Sequence, residues 1–112
     1  MKAPVLATLV GLLALPLAAA AETWKDVPVI DSLCVSKVKA DPDKHTMQCA
    51  LQCAKGGYGL LTTDGTYLKF DNEGSEKALA ALKASKKTDH LRATVEGVRE
   101  GETIKVVSIA VQ

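Results

Sequence analysis

The segment Tyr58-Gly-Leu-Leu-Thr-Thr-Asp-Gly-Thr-Tyr-Leu-Lys-Phe70 decides how the rest of the chain is read. Residues 58–63 are apolar and β-branched, and residues 66–70 alternate. Asp64-Gly65 between them is a strong two-residue hairpin signal, because glycine accepts the positive φ that such turns need. This predicts two antiparallel strands, Tyr58 to Thr63 and Thr66 to Phe70. The chain is therefore β-rich at its centre, and the flanking elements must pack against that hairpin.

On the C-terminal side, Asp71-Asn72-Glu73-Gly74-Ser75 is a loop rich in helix N-cap residues. Glu76 to Lys86 reads as a helix with Ala78, Leu79 and Leu82 on one stripe. Two alternating strands follow, Leu91 to Val98 and Thr103 to Val111, joined by a turn over Arg99-Glu100-Gly101-Glu102. In the last strand Ile104, Val106, Ser108 and Ala110 fall opposite Val107, Ile109 and Val111. On the N-terminal side, Trp24 to Cys34 reads as a first strand. Val27, Val29 and Asp31 lie on one face, and Pro28 implies an edge position or a late start. Asp41-Pro42-Asp43 is a breaker, Asp43 to Ala54 favours a helix, and Lys55-Gly56-Gly57 ends it.

The order is strand, short helix, strand, strand, helix, strand, strand. Five strands with a helix between the third and fourth is the order of the OB-fold, a small partly open barrel. The expected architecture is thus a β-rich α+β domain. It is an OB-like five-stranded barrel with a short helix inserted after strand one and a second helix between strands three and four.

The first residues have the form of an export signal. Lys2 precedes a run from Val5 to Leu17 that is apolar apart from Thr8, and Ala19-Ala20-Ala21 gives a small-residue cleavage pattern. The expected division is a signal peptide over residues 1–21 and one OB-like domain over residues 22–112, in the periplasm or outside the cell. The apolar run falls short of the roughly 20 residues of a membrane span, and none recurs later. No span is expected in the processed chain.

Fourteen basic residues face 13 acidic ones, and losing Lys2 balances them. No basic block stands out, and the aromatics are only Trp24, Tyr58, Tyr67 and Phe70. Charge and stacking platforms for nucleic acid are both lacking, so nucleic acid is not an expected partner.

Chemistry concentrates between Cys34 and Cys53. Three cysteines, the whole complement, share this stretch with His45. Thiolates and imidazole suit Zn(II), and thiolates suit Cu(I), for which Met47 is a further sulfur. The candidate metal set is Cys34, His45, Cys49 and Cys53. On one straight helix, however, His45, Cys49 and Cys53 would span roughly 12 Å, too far for a single ion. The competing reading is a disulfide, which exported proteins commonly form. Cys34 bonded to Cys49 or Cys53 would tie the first strand to the helix and contribute about 3 kcal/mol. The third thiol would then be buried or would bridge two chains as a dimer.

No enzyme is expected. The redox C-x-x-C and haem C-x-x-C-H motifs are both missing. His90 reads as a turn residue, Gly56-Gly57-Tyr58-Gly59 lacks a phosphate-loop signature, and Asp31, Asp41 and Asp43 match no calcium loop.

The tail Val95-Glu-Gly97 followed by Gly101-Glu-Thr-Ile104-Lys-Val106-Val-Ser108-Ile109 resembles the closing hairpin of small exported bacterial OB-fold-like proteins. Ile30-Asp31-Ser32-Leu33-Cys34, the histidine, Cys49-x-x-x-Cys53 and Gly57-Tyr58-Gly59 are similar to uncharacterised secreted proteins of that type. The resemblance implies an exported barrel and no activity. The functional expectation is a small exported binding module for a protein or small ligand, stapled by a disulfide from Cys34 to a helix cysteine. The alternative is a zinc- or copper-binding protein using Cys34, Cys49, Cys53 and His45.

Overall fold

The computed structural model describes residues 20–112. The expected leader over residues 1–21 therefore lies, except for Ala20 and Ala21, outside the described residues. The elements are β1 (Glu22–Asp31), α1 (Val35–Val38), a 3-10 turn (Pro42–Lys44), α2 (Met47–Gln52), a second 3-10 turn (Ala54–Gly56), β2 (Tyr58–Leu61), β3 (Tyr67–Phe70), α3 (Asn72–Ala84), β4 (Arg92–Glu100) and β5 (Thr103–Val111).

The strands close into a barrel in the order β1-β2-β3-β5-β4. Closure depends on a short parallel contact, in which Lys69 and Phe70 of β3 pair with Thr103 and Ile104 of β5. All other pairs are antiparallel. The expected five-stranded OB-like barrel is the observed fold, with Gly65 at φ +89° in the β2–β3 turn.

Because β1 pairs with both β2 and β4, it is not an edge. It starts earlier than expected, at Glu22, and ends at Asp31 rather than Cys34. Pro28 is accommodated just beyond a register shift between Trp24 and Val27, where Asp26 takes φ +54°. A bulge relieves a proline of the regular ladder. From Val27 to Asp31 every residue is buried, so this half of β1 is covered on both faces. The simple alternation of β5 also fails. Gly97 pairs with Val106 and Glu96 with Ser108, so Val107 is bulged outward and 55% exposed. The inward set then switches from Ile104 and Val106 to Ile109 and Val111, which pack against the core.

The core holds Val29, Leu60, Leu68, Phe70, Val95 and Ile104, with Ala78 and Leu82 from α3 and Ala50 from α2. Each buried Val, Leu, Ile or Phe side chain contributes about 1.5–3 kcal/mol. α3 begins four residues before the expected Glu76, because Asp71 caps it by accepting from the Gly74 N–H at 3.0 Å. The same Asp71 oxygen accepts from the Val106 N–H, which ties the helix start to β5.

The expected continuous helix over Asp43 to Ala54 is a correction. It is a 3-10 turn, an extended joint at His45 and Thr46, the short α2, and another 3-10 turn. The Thr46 side chain accepts from the Cys49 N–H and starts α2 afresh. Cys53 leaves helical geometry at φ −104°, ψ 25°, and Gly57 at φ +79° ends the segment. Among the described residues no helix is long and apolar enough to cross a membrane.

Candidate metal and thiol centre

The site is assembled where β1 stops. Asp31, the last residue of β1, pairs with Tyr58 of β2 and is fully buried. A charged side chain in such a position needs partners. Its Oδ2 accepts from the Cys34 N–H at 3.0 Å, and its backbone oxygen accepts from the same N–H at 3.2 Å. This local turn reverses the chain after β1 and starts α1. Ser32 N–H donates to the Gly57 oxygen, fixing the other side of the turn.

The second partner is His45, which is 4% exposed. Its Nε2–H donates to Asp31 Oδ1 at 2.7 Å. The broken helix makes this contact available. His45 is extended, at φ −68° and ψ 128°, between the 3-10 turn and α2. A helical His45 would have been carried on the same rod as Cys49. The surrounding backbone is pinned by Met47 N–H to Thr88 O, His90 N–H to Asp43 O, and the Tyr58 hydroxyl to Ala50 O at 2.7 Å. Tyr67 adds a further brace, since its hydroxyl donates to Ile30 O and the Ser32 hydroxyl donates to Tyr67.

Cys34 and Cys53 meet beside this pair with their Sγ atoms 3.8 Å apart. One carboxylate oxygen of Asp31 and the two sulfurs all lie within 4.8 Å of one another. Both cysteines are half-buried, so the group opens to solvent on one side. Burial first, then the hydrogen bond to Cys53 and the charge of Asp31, push the Cys34 thiol up to about 11. Burial, with the Asp31 charge second, also pushes Tyr58 up to about 12. The cluster therefore disfavours more negative charge unless a proton, a cation or a covalent bond removes it.

Of the four residues singled out in the sequence, Cys34 and Cys53 are brought together. His45 reaches the group through Asp31. Cys49 is exposed and lies outside it. Asp31 is not in the sequence-derived donor set; the sequence places it on one face of a strand and in no calcium loop. Its signal was a carboxylate ending the apolar run Val27–Ile30, where a buried charge asks for an explanation. Asp41 and Asp43 are engaged elsewhere, by Lys44 and Arg92 respectively.

The chain matches no protein-family model, no curated protein and no solved structure.

Proposed function

We propose that this is an exported Zn(II)-binding module, with Cys34 and Cys53 as thiolate ligands and Asp31 as the oxygen ligand. The observation that carries this reading is the spacing of the donors. Two sulfurs about 2.3 Å from a tetrahedral ion lie about 3.8 Å apart, and Cys34 and Cys53 have that separation with a carboxylate beside them. The hard oxygen in the set favours Zn(II) over Cu(I), which prefers sulfur alone. His45 is then the outer partner that orients Asp31. Three protein donors leave a fourth position for solvent or a partner's ligand.

Binding must displace the Cys34 proton. Burial, the hydrogen bond to Cys53 and the Asp31 charge all hold that proton on, so its loss opposes binding less as pH rises. Affinity should therefore rise about tenfold per pH unit between pH 6 and 8 for that proton alone. The test is elemental analysis of purified protein alongside a thiol count after unfolding. One zinc per chain with three reactive thiols supports the reading; protein reduced to three reactive thiols that takes up no zinc defeats it. Cys34→Ser and Cys53→Ser should lose the ion, whereas Cys49→Ser should retain it.

A second reading is the disulfide-stapled binding module, favoured by a groove on the barrel. Trp24 and Lys25 of β1, Thr62, Thr63 and Asp64 of the β2–β3 turn, and Arg99 of β4 line it. A tryptophan beside two cations, a carboxylate and hydroxyls suits a small polar ligand such as a sugar. Trp24 is the sole tryptophan, so its fluorescence reports on such binding directly. A titration with anionic and neutral oligosaccharides that leaves its emission unchanged removes this reading.

A further inference from the structure

We propose that Cys34 and Cys53 form a reversible thiol–disulfide switch that abolishes the cation site when oxidised and is held open by the cation when reduced. This rests on the metal-binding reading of the same three residues and adds its regulation. The two sulfurs are 3.8 Å apart, against about 2.05 Å in a disulfide. Each must move by under about 1 Å, which side-chain rotation can supply. Neither cysteine sits inside a helix. Cys34 precedes α1 at φ −110°, ψ −3°, and Cys53 follows α2 at φ −104°, ψ 25°. Both are partly accessible, so a small oxidant can reach them.

Cys49 has the other fate. It is exposed, belongs to α2, and is not within the donor group. An i,i+4 bond from Cys49 to Cys53 would need Cβ directions that a helical turn does not present. Oxidation therefore pairs Cys34 with Cys53 and leaves Cys49 as a thiol.

The oxidant is a low-molecular-weight disulfide such as oxidised glutathione. The Cys53 thiolate attacks one of its sulfurs, forming a mixed disulfide and releasing one glutathione thiolate, which takes up the Cys53 proton. Cys34 then loses its proton and attacks Cys53 Sγ, forming the internal bond and releasing the second glutathione. Two S–H bonds are lost and one S–S bond is made in the protein, while one S–S bond is broken and two thiols form in the reagent. The internal bond removes two of the three donors, and Asp31 with its His45 partner holds no ion alone. Conversely, a bound cation occupies both thiolates. The two states exclude each other, so the ion and the oxidant must oppose each other by linkage.

The test equilibrates the full protein in glutathione buffers of graded ratio, with and without buffered free Zn(II). Thiols are alkylated and located by peptide mass. Without zinc, one bond between Cys34 and Cys53 and one alkylated Cys49 are expected. With saturating zinc, the ratio of oxidised to reduced glutathione needed for half-oxidation should rise at least tenfold. The isolated oxidised form should bind no zinc, and Cys49→Ser should behave as the parent. A disulfide that includes Cys49, zinc binding by the oxidised form, or an unmoved midpoint with zinc-binding reduced protein overturns the switch alone. A reduced protein that binds no zinc overturns the metal reading and the switch with it.

Discussion

Removing the imidazole of His45 should expose how much of this domain's stability depends on one buried contact. In the intact protein Asp31 is fully buried, and its carboxylate has two donors: His45 Nε2 at 2.7 Å and the Cys34 N–H at 3.0 Å. His45→Ala leaves the carboxylate with the backbone donor only. Leaving a buried polar group without one of its partners typically costs about 1–3 kcal/mol, and more when the group is charged. Solvent can partly enter through the half-open cysteine side, so about 3 kcal/mol is expected here. For a domain of this size each 1 kcal/mol shifts the midpoint by roughly 4–8 °C, which places the loss at roughly 12–24 °C. Urea unfolding followed by tryptophan emission gives the free energy directly. Asp31→Asn and the double variant complete a cycle, whose coupling should be about 1.5–3 kcal/mol. His45→Gln, which keeps a donor, should recover part of the loss. A cost below about 1 kcal/mol for His45→Ala, or a coupling below about 0.5 kcal/mol, refutes the claim that this contact organises the site.

Two further outcomes rest on other parts of the barrel. Arg92 donates to both carboxylate oxygens of Asp43, at 2.9 and 3.2 Å, and this holds the Asp43 carboxyl below its ordinary range. Its folded pKa lies below the unfolded value near 3.9, so the stabilisation is complete above about pH 5 and is lost as pH falls through 4 and below. With both side chains about 30% exposed, the contribution is about 0.5–1 kcal/mol. The pH 6 to pH 3 drop in unfolding free energy should shrink by that amount in Arg92→Gln. In β2, a Cβ on Gly59 would lie 2.5 Å from Leu68 O and 2.6 Å from the Tyr67 ring. Gly59→Ala should therefore cost about 1–3 kcal/mol by urea denaturation and weaken the Tyr67 brace at Ile30 and Ser32. A neutral result there would contradict the packing described between β2 and β3.

Most of the barrel was legible because its signals are local. Asp64-Gly65 marked the β2–β3 turn, Gly101 at φ +65° sits in the β4–β5 turn, and Ala78 and Leu82 marked the buried face of α3. The errors arose where the chain departs from a regular period. The bulge at Val107 exchanges the faces of β5 halfway along. The joint at His45 and Thr46 divides the segment from Asp43 to Ala54, which the sequence reads as one helix. A one-residue insertion or one extended residue leaves no mark in composition, because partner strands and distant hydrogen bonds select it.

The candidate site divides in the same way. The sequence by itself determined which chemistry is available: three thiols, a histidine and a carboxylate ending an apolar strand, all within Asp31 to Cys53. It also determined that any group joining them must cross from the first strand to the helical segment. Only the tertiary structure decided the membership. Barrel closure buries the end of β1, so Asp31 must find a donor, and the extended joint supplies His45. The end of α2 releases Cys53 toward Cys34, while Cys49, held in the helix one turn earlier, points to solvent. The physical reason is range. Ligand types and turn signals are properties of neighbouring residues, whereas the proximity of Cys34 to Cys53 depends on where two segments are placed by a barrel whose strands contain neither.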